Sequence, residues 1–237
     1  MSIDRRRFLR LSAASVTAAF FAACDSQGPD GAKGILSFAE RRNESVERFL
    51  FRHTSMDRAP TGAVNAGSAF PKYFISDEVP VWDPATQGPW TLVVDGLVDR
   101  PVRLSLDDLQ KLPRISQRVN HYCVEGWTAV AEWTGTRVSE LAKLVGVHPE
   151  ARYVDFASFD DGYHESWDLA SAMHPQTLIA YGMDGHLLGP GHGAPARVHS
   201  PVKLGYKNTK YLVRVQFMAE RNGGYWSDQG YEWYGGT

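Results

Sequence analysis

Two cysteines occur in the 237 residues, and they lie in stretches of opposite character. Cys24 closes an apolar N-terminal run, whereas Cys123 stands by itself in the middle of the chain, in Asn120-His121-Tyr122-Cys123-Val124-Glu125-Gly126-Trp127. If the first run is removed or lipidated, no pair is left for a structural disulfide. The body must then fold on its core alone, and 237 residues suffice for one large domain or a domain plus a short lobe. A thiol retained alone in an exported protein is an inert core residue, a ligand or a nucleophile.

The N-terminus reads Asp4-Arg5-Arg6-Arg7-Phe8-Leu9-Arg10, followed by small and apolar residues from Leu11 to Ala23. A basic start with a short apolar stretch is an export signal, too short for an ordinary membrane span. The arginine pair followed by Phe8-Leu9 resembles a twin-arginine signal, with Asp4 in place of the usual Ser or Thr. Phe21-Ala22-Ala23-Cys24 resembles a lipobox with Phe for Leu. The expected product is periplasmic, either tethered by lipid at Cys24 or cut nearby and soluble. Net charge is −2 and no basic stripe stands out, so nucleic acid is not an expected partner.

We divide the chain into a signal over 1–24, a linker and arm over 25–69, and a compact domain over 70–237. Ser45 to Phe51 has room for a helical turn or two, without a sustained period. Thr91–Val94 and Val102–Leu104 read as strands around a turn. Ser105 caps a short helix from Leu106 to Leu112, with Asp107 and Asp108 in its first turn. Thr136 is read as the cap of a second helix, where Val138, Leu141, Leu144 and Val145 recur at helical spacing and Gly146 stops the run. Tyr153–Phe159 reads as a strand and Leu169–Met173 as a brief helix. Thr177–Tyr181 and Leu187-Leu188 are strands joined around Asp184-Gly185. Tyr211–Phe217 alternates with its apolar side inward. Short strands interleaved with short helices predict a mixed α+β domain.

Two further stretches carry chemistry. Gly189-Pro190-Gly191-His192-Gly193-Ala194-Pro195-Ala196-Arg197 forces an irregular path and brings backbone amides, His192 and Arg197 near whatever binds there. Lys203-Leu204-Gly205-Tyr206-Lys207-Asn208-Thr209-Lys210 then adds three lysines and two small polar side chains. This composition suits a phosphate-bearing cofactor. It equally suits a surface turn followed by a solvated basic strand. Eight histidines are scattered, without His-Glu-x-x-His or Cys-x-x-Cys, which argues against zinc. His121 and Cys123 share a face if the strand continues, so a thiol enzyme is an alternative.

Taken together, Cys123-Val124-Glu125-Gly126-Trp127, the His192-Gly193-x-Pro195-x-Arg197 loop and Asn208-Thr209-Lys210 resemble the sulfite oxidase-type molybdopterin oxidoreductases, in order and in approximate separation. The resemblance runs from about Phe70 to the end. It implies a mixed-sheet molybdopterin-binding domain in which Cys123 is both the molybdenum ligand and the catalytic residue. It implies that Tyr73, Phe74, Ser76, Asp77, Glu78, Ser158, His192, Arg197, Lys203, Asn208, Thr209 and Lys210 hold the cofactor, with Lys207 a basic neighbour.

The departures are informative. Sulfite oxidases carry arginines where this chain has Ser76 and Thr128, and Glu125 adds a carboxylate, so sulfite is a poor fit. The cysteine run is closer to the catalytic subunits of periplasmic methionine sulfoxide reductases, in which Ala stands for Gly126. The sulfite oxidases' C-terminal dimerisation domain is absent from this sequence, which implies a monomer. The resemblance implies oxygen-atom transfer on a small or protein-borne S-oxide, with electrons exchanged with a separate haem or quinone-linked partner. A sulfite-oxidising enzyme and a metal-free binding module on the same fold are the alternatives. The aromatic run Tyr225–Tyr234 is expected to pack as a flap of the core, not to meet substrate.

Overall fold

The computed structural model describes residues 33–51, 56–59 and 70–237. The signal, Cys24 and most of the linker lie outside the described residues. The chain divides after Leu50. Among the described residues before that point lies one helix, α1 (Lys33–Leu50), with an Arg48–Glu44 ion pair of 2.6 Å one turn apart. The sequence reading allowed a turn or two here. The helix is longer because helical propensity and such pairs need no sustained apolar stripe.

The described residues of the second unit carry ten strands and four short α-helices. In chain order these are α2 (Pro84–Gln87), β1 (Leu92–Gly96), β2 (Val102–Leu104), α3 (Leu106–Lys111), β3 (Arg114–Tyr122), β4 (Thr128–Arg137), α4 (Val138–Val145), β5 (Tyr153–Ser158), β6 (His164–Asp168), α5 (Leu169–Ala172), β7 (Leu178–Met183), β8 (His186–Leu187), β9 (Arg197–His199) and β10 (Leu212–Met218). They form two five-stranded sheets. One runs β2-β1-β10-β5-β6, and the other runs β3-β4-β7-β8 with β9 also on β7. β1 and β10 are parallel whereas β10 and β5 are antiparallel, so the first sheet is mixed and the α+β expectation is met.

Local signals account for most boundaries. Ser105 and Asp108 form a reciprocal capping box at α3: the Ser105 hydroxyl accepts from the Asp108 amide, and the Asp108 carboxylate accepts from the Ser105 amide. Gly146 ends α4 in the left-handed conformation, as Gly at this position usually does. Thr136 does not cap α4. It pairs with Arg114 as a residue of β4, and Arg137 occupies the cap position without a side-chain bond. Strand pairing on both sides of β4 carries the chain past Thr136 before the helix begins. The core of the first sheet buries Leu92, Val94, Val138, Leu141, Phe156, Trp167, Val215 and Phe217. A second cluster of Phe70, Val119, Ala131, Trp133, Leu178 and Met183 backs the other sheet. Every residue of β7 is buried, which suits its central, uncharged sequence.

Candidate active site

The β3–β4 hairpin presents Cys123. Nine cross-strand pairs, from Arg114 with Thr136 to Tyr122 with Thr128, hold the hairpin in register up to the residue before the cysteine. The Cys123 amide donates to the Trp127 carbonyl and the Gly126 amide donates to the Cys123 carbonyl, each at 3.0 Å. Asp57 braces the strand end: its carboxylate accepts from the Asn120 amide at 2.9 Å and from the Tyr122 hydroxyl at 2.9 Å. That hydroxyl's pKa is pushed up to about 12 by burial and then by Asp57, so Tyr122 is a brace and not an acid.

The half-buried thiol opens on a cleft of about 310 Å³. Its deep end is polar, with His121, Asp160, Arg197 and Asn208, all buried. Its exposed rim carries Tyr73, Val124 and Tyr231 together with the Glu125 carboxylate. Glu125 stands beside the sulfur: the carboxylate lies 3.9 Å from Sγ and accepts from the Trp127 indole at 2.9 Å. Burial, with Glu125 adding its charge, holds the thiol pKa above its ordinary value. A nucleophilic cysteine needs the opposite, so the thiol-enzyme alternative loses its physical basis.

Arg197 is 2% exposed, and its guanidinium donates to the carbonyls of Val198, His192 and Asn208 at 3.3, 3.2 and 3.0 Å. It makes no ion pair among the described residues, and burial draws its pKa down to about 10. Lys210 donates to the Tyr73 and Gly191 carbonyls at 2.5 and 3.0 Å. Burial, then Arg197, draws its pKa down to about 7. Gly193 makes room for this lysine: it has φ of 99°, and a Cβ there would lie 2.8 Å from Lys210 Cβ. Arg197 is buried and Lys210 half-buried, and neither makes an ion pair among the described residues, although the Asp160 carboxylate acts on Lys210 through space; an anionic ligand would offset the desolvation cost that remains.

Of the residues the resemblance implied, Tyr73, Phe74, Ser158, Arg197, Asn208 and Lys210 line the cleft with Cys123. His192 and Thr209 adjoin it: His192 Nδ1 and Thr209 Oγ1 are buried without a hydrogen-bond partner. Ser76, Asp77 and Glu78 are exposed and do not line the cleft; the Ser76 hydroxyl donates to Asp160. Lys203 does not line the cleft. It is buried away from the cleft, where it donates to Asp168 at 2.9 Å and to the Tyr234 carbonyl at 2.6 Å. Lys207 is likewise buried, on Glu165 at 2.5 Å. The alternative of a solvated basic strand therefore fails, since both acidic partners arrive from β6. Asp57, Asp160 and Tyr211 were missed; nothing in their own sequence neighbourhood marks them.

His199 sits under this cleft, stacked on Trp133 with centroids 4.1 Å apart and on His121 at 5.4 Å. Burial, then His121 and Arg197, hold its pKa well below 6.5. The folded protein keeps it neutral while the unfolded chain takes up a proton below 6.5. Its stabilising effect is thus present above that value and lost as pH falls. His121 and His192, drawn down by burial to about 3 and about 4, act in the same sense, so cofactor-free protein should lose about 1 kcal/mol per such histidine per pH unit below 6.5 in urea titrations. His199→Phe should flatten that slope; an equally steep slope in the variant would contradict the assignment.

Residues 77–226 match the family model described as "Oxidoreductase molybdopterin binding domain". The chain belongs to that family. It is 36% identical over 234 residues to the putative protein-methionine-sulfoxide reductase subunit YedZ1 of Azospira oryzae, covering 98% of this chain and 88% of that one. It is 37% identical over 145 residues to the protein-methionine-sulfoxide reductase catalytic subunit MsrP of Ralstonia nicotianae, covering 55% of this chain and 44% of the relative. Among solved structures, the sulfane dehydrogenase SoxCD of Paracoccus pantotrophus shares the fold, with a TM-score of 0.56 at 22% identity over 60% of this chain and 41% of that one. The protein is a molybdopterin-dependent oxidoreductase. Its cleft fits that group: Arg197 and Lys210 offer cations without an ion-pair partner among the described residues, polar atoms of His192, Thr209 and Tyr211 are buried without a hydrogen-bond partner, and a soft sulfur donor faces the same space.

Proposed function

We propose that this protein is the catalytic subunit of an exported system that reduces organic S-oxides. The observation that carries the reading is the solitary thiol in one cleft with the buried Arg197 and the half-buried Lys210, which make no ion pair among the described residues. On this reading Cys123 ligates the metal. Arg197 and Lys210 bind the cofactor's phosphate-bearing part, assisted by His192, Ser158, Asn208 and Thr209. Tyr73 and Phe74 cover it from the other side. When bound, the cofactor supplies a redox-active metal able to exchange an oxygen atom.

The chain's own residues set the conditions. Asp57 and the hairpin register keep the cysteine from shifting. The raised thiol pKa keeps the sulfur protonated and unreactive until a metal cation supplies the charge that stabilises its thiolate. Glu125 puts a carboxylate 3.9 Å from the sulfur, which favours a neutral S-oxide over the sulfite dianion at that end of the cleft. The overall change is R–S(O)–R′ + 2 H⁺ + 2 e⁻ → R–S–R′ + H₂O. The electrons come from a separate haem or quinone-linked partner. The names of the relatives support an S-oxide substrate, and the twin-arginine-like start supports a periplasmic location.

The test uses the full chain, loaded with molybdenum before purification. Reduced viologen dye should be oxidised on adding methionine sulfoxide or methyl phenyl sulfoxide, and sulfite should give little turnover in the reverse direction. Metal-loaded protein that oxidises sulfite efficiently and reduces no sulfoxide would overturn the reading.

A further inference from the structure

The aromatic C-terminal run does not act as one unit. Trp233 and Tyr234 are buried, as a core flap should be. Trp226 and Tyr231 instead line the cleft that Cys123 opens on. They flank a single 3-10 turn, Ser227–Gln229, with ring centroids 5.1 Å apart. Tyr231 also meets Tyr206 at 5.5 Å and remains 41% exposed. Burial of apolar area therefore does not explain its position.

The turn is held with unusual care for a pair of half-open rings. The wholly buried Glu165 carboxylate accepts from the Trp226 amide at 3.0 Å, from the Ser227 hydroxyl at 3.2 Å and from the Lys207 ammonium at 2.5 Å. A Cβ on Gly224 would fall 2.2 Å from that carboxylate, so the approach to the turn requires glycine. Lys207 lies between Tyr206 and Asn208, both of which line the cleft. One buried carboxylate thus fixes the aromatic wall relative to the polar end of the cleft. With the cofactor's phosphate-bearing part held by Arg197 and Lys210 and covered by Tyr73 and Phe74, as proposed above, the wall of Trp226 and Tyr231 is left for substrate.

We propose that Trp226 and Tyr231 form the specificity-determining wall of the substrate site, selecting organic S-oxides whose sulfur bears an apolar or aromatic substituent, with Glu165 as the positioning residue. The proposal rests on the S-oxide reading above. An aromatic wall gains affinity from each apolar group it covers, whereas a small, polar S-oxide gains little from it.

The experiment compares kcat/KM for methyl phenyl sulfoxide with that for dimethyl sulfoxide, in metal-loaded wild type, Trp226→Ala and Tyr231→Ala. The ratio should fall about tenfold in each variant, mainly through KM, the range expected for losing one apolar contact in a pocket. Calorimetric titration with methyl phenyl sulfone, which is not reduced, should show the dissociation constant rising by a similar factor. Trp226→Phe should restore most of both. Tyr231 is exposed, so its variant folds even if Trp226→Ala does not. An unchanged ratio and unchanged sulfone binding overturn the wall while leaving sulfoxide reduction standing. No sulfoxide turnover by loaded wild type overturns both.

Discussion

Cys123→Ser should remove turnover while leaving the fold in place. The sulfur's side-chain neighbour is the Glu125 carboxylate at 3.9 Å, and the hairpin around it is closed by backbone bonds that serine keeps. The thiol is only half-buried, so the exchange creates no sealed cavity. Stability should stay within about 0.5 kcal/mol, or roughly 2 °C in melting temperature for a domain of this size. Activity should behave very differently. A serine hydroxyl does not ionise near neutral pH and is a hard donor, ill matched to a metal that favours soft sulfur. Changes one shell out from a metal typically cost about 10–100-fold, and loss of the ligand itself should exceed that. Dye-linked sulfoxide reduction, thermal melts and molybdenum per chain together check the prediction. Turnover within about threefold of wild type, with metal retained, would falsify the ligand role, because second-shell effects alone cost more than this.

Much of this site was legible because its signals are local. Ser105 and Asp108 form a capping box within four residues, and Gly146 stops a helix by its own conformational freedom. Asp184 and Gly185, with φ of 49° and 80°, turn β7 into β8 as their residue types suggest. The cysteine motif and the His192–Arg197 loop are contiguous, and both prove to adjoin one cleft. What was not legible depends on partners far along the chain. Lys203 and Lys207 look like ligand-binding cations from their neighbours, but Asp168 and Glu165 of β6 claim them. Asp57 reaches Asn120 and Tyr122 across more than sixty positions, and no spacing rule connects them. Thr136 has the chemistry of a cap and lacks the role, because cross-strand pairing outweighs a single hydroxyl bond. Trp226 and Tyr231 read as burial because composition does not say which aromatics of a run face inward.

The larger stability effect should come from Lys207→Met. Lys207 and Glu165 are both wholly buried, and their 2.5 Å contact is each one's means of staying charged out of water. Burial pushes the Glu165 carboxyl above its ordinary range and pulls the Lys207 ammonium below its own, each opposed by the partner. Methionine fills nearly the same volume, so packing is conserved and the carboxylate is left without its cation. Removing one member of a buried pair typically costs about 3–5 kcal/mol, here roughly 10 °C of melting temperature. The loss should depend on pH in a definite direction. Without Lys207 the folded-state pKa of Glu165 rises further above the unfolded value. The penalty is then full where Glu165 would be ionised and fades as pH falls through that raised pKa. Urea titrations should accordingly find the variant's deficit smaller at pH 5 than at pH 7.5. Lys207→Met with Glu165→Gln removes both charges and should recover most of the stability, since the amide oxygen can still accept from the Trp226 amide while the NH₂ group donates to the Ser227 hydroxyl. Recovery in the double variant would show that the single variant's loss comes from the orphaned carboxylate. A single variant within about 1 kcal/mol of wild type at both pH values would mean that water reaches this pair, and the rigidity ascribed to the Trp226 turn would lose its support.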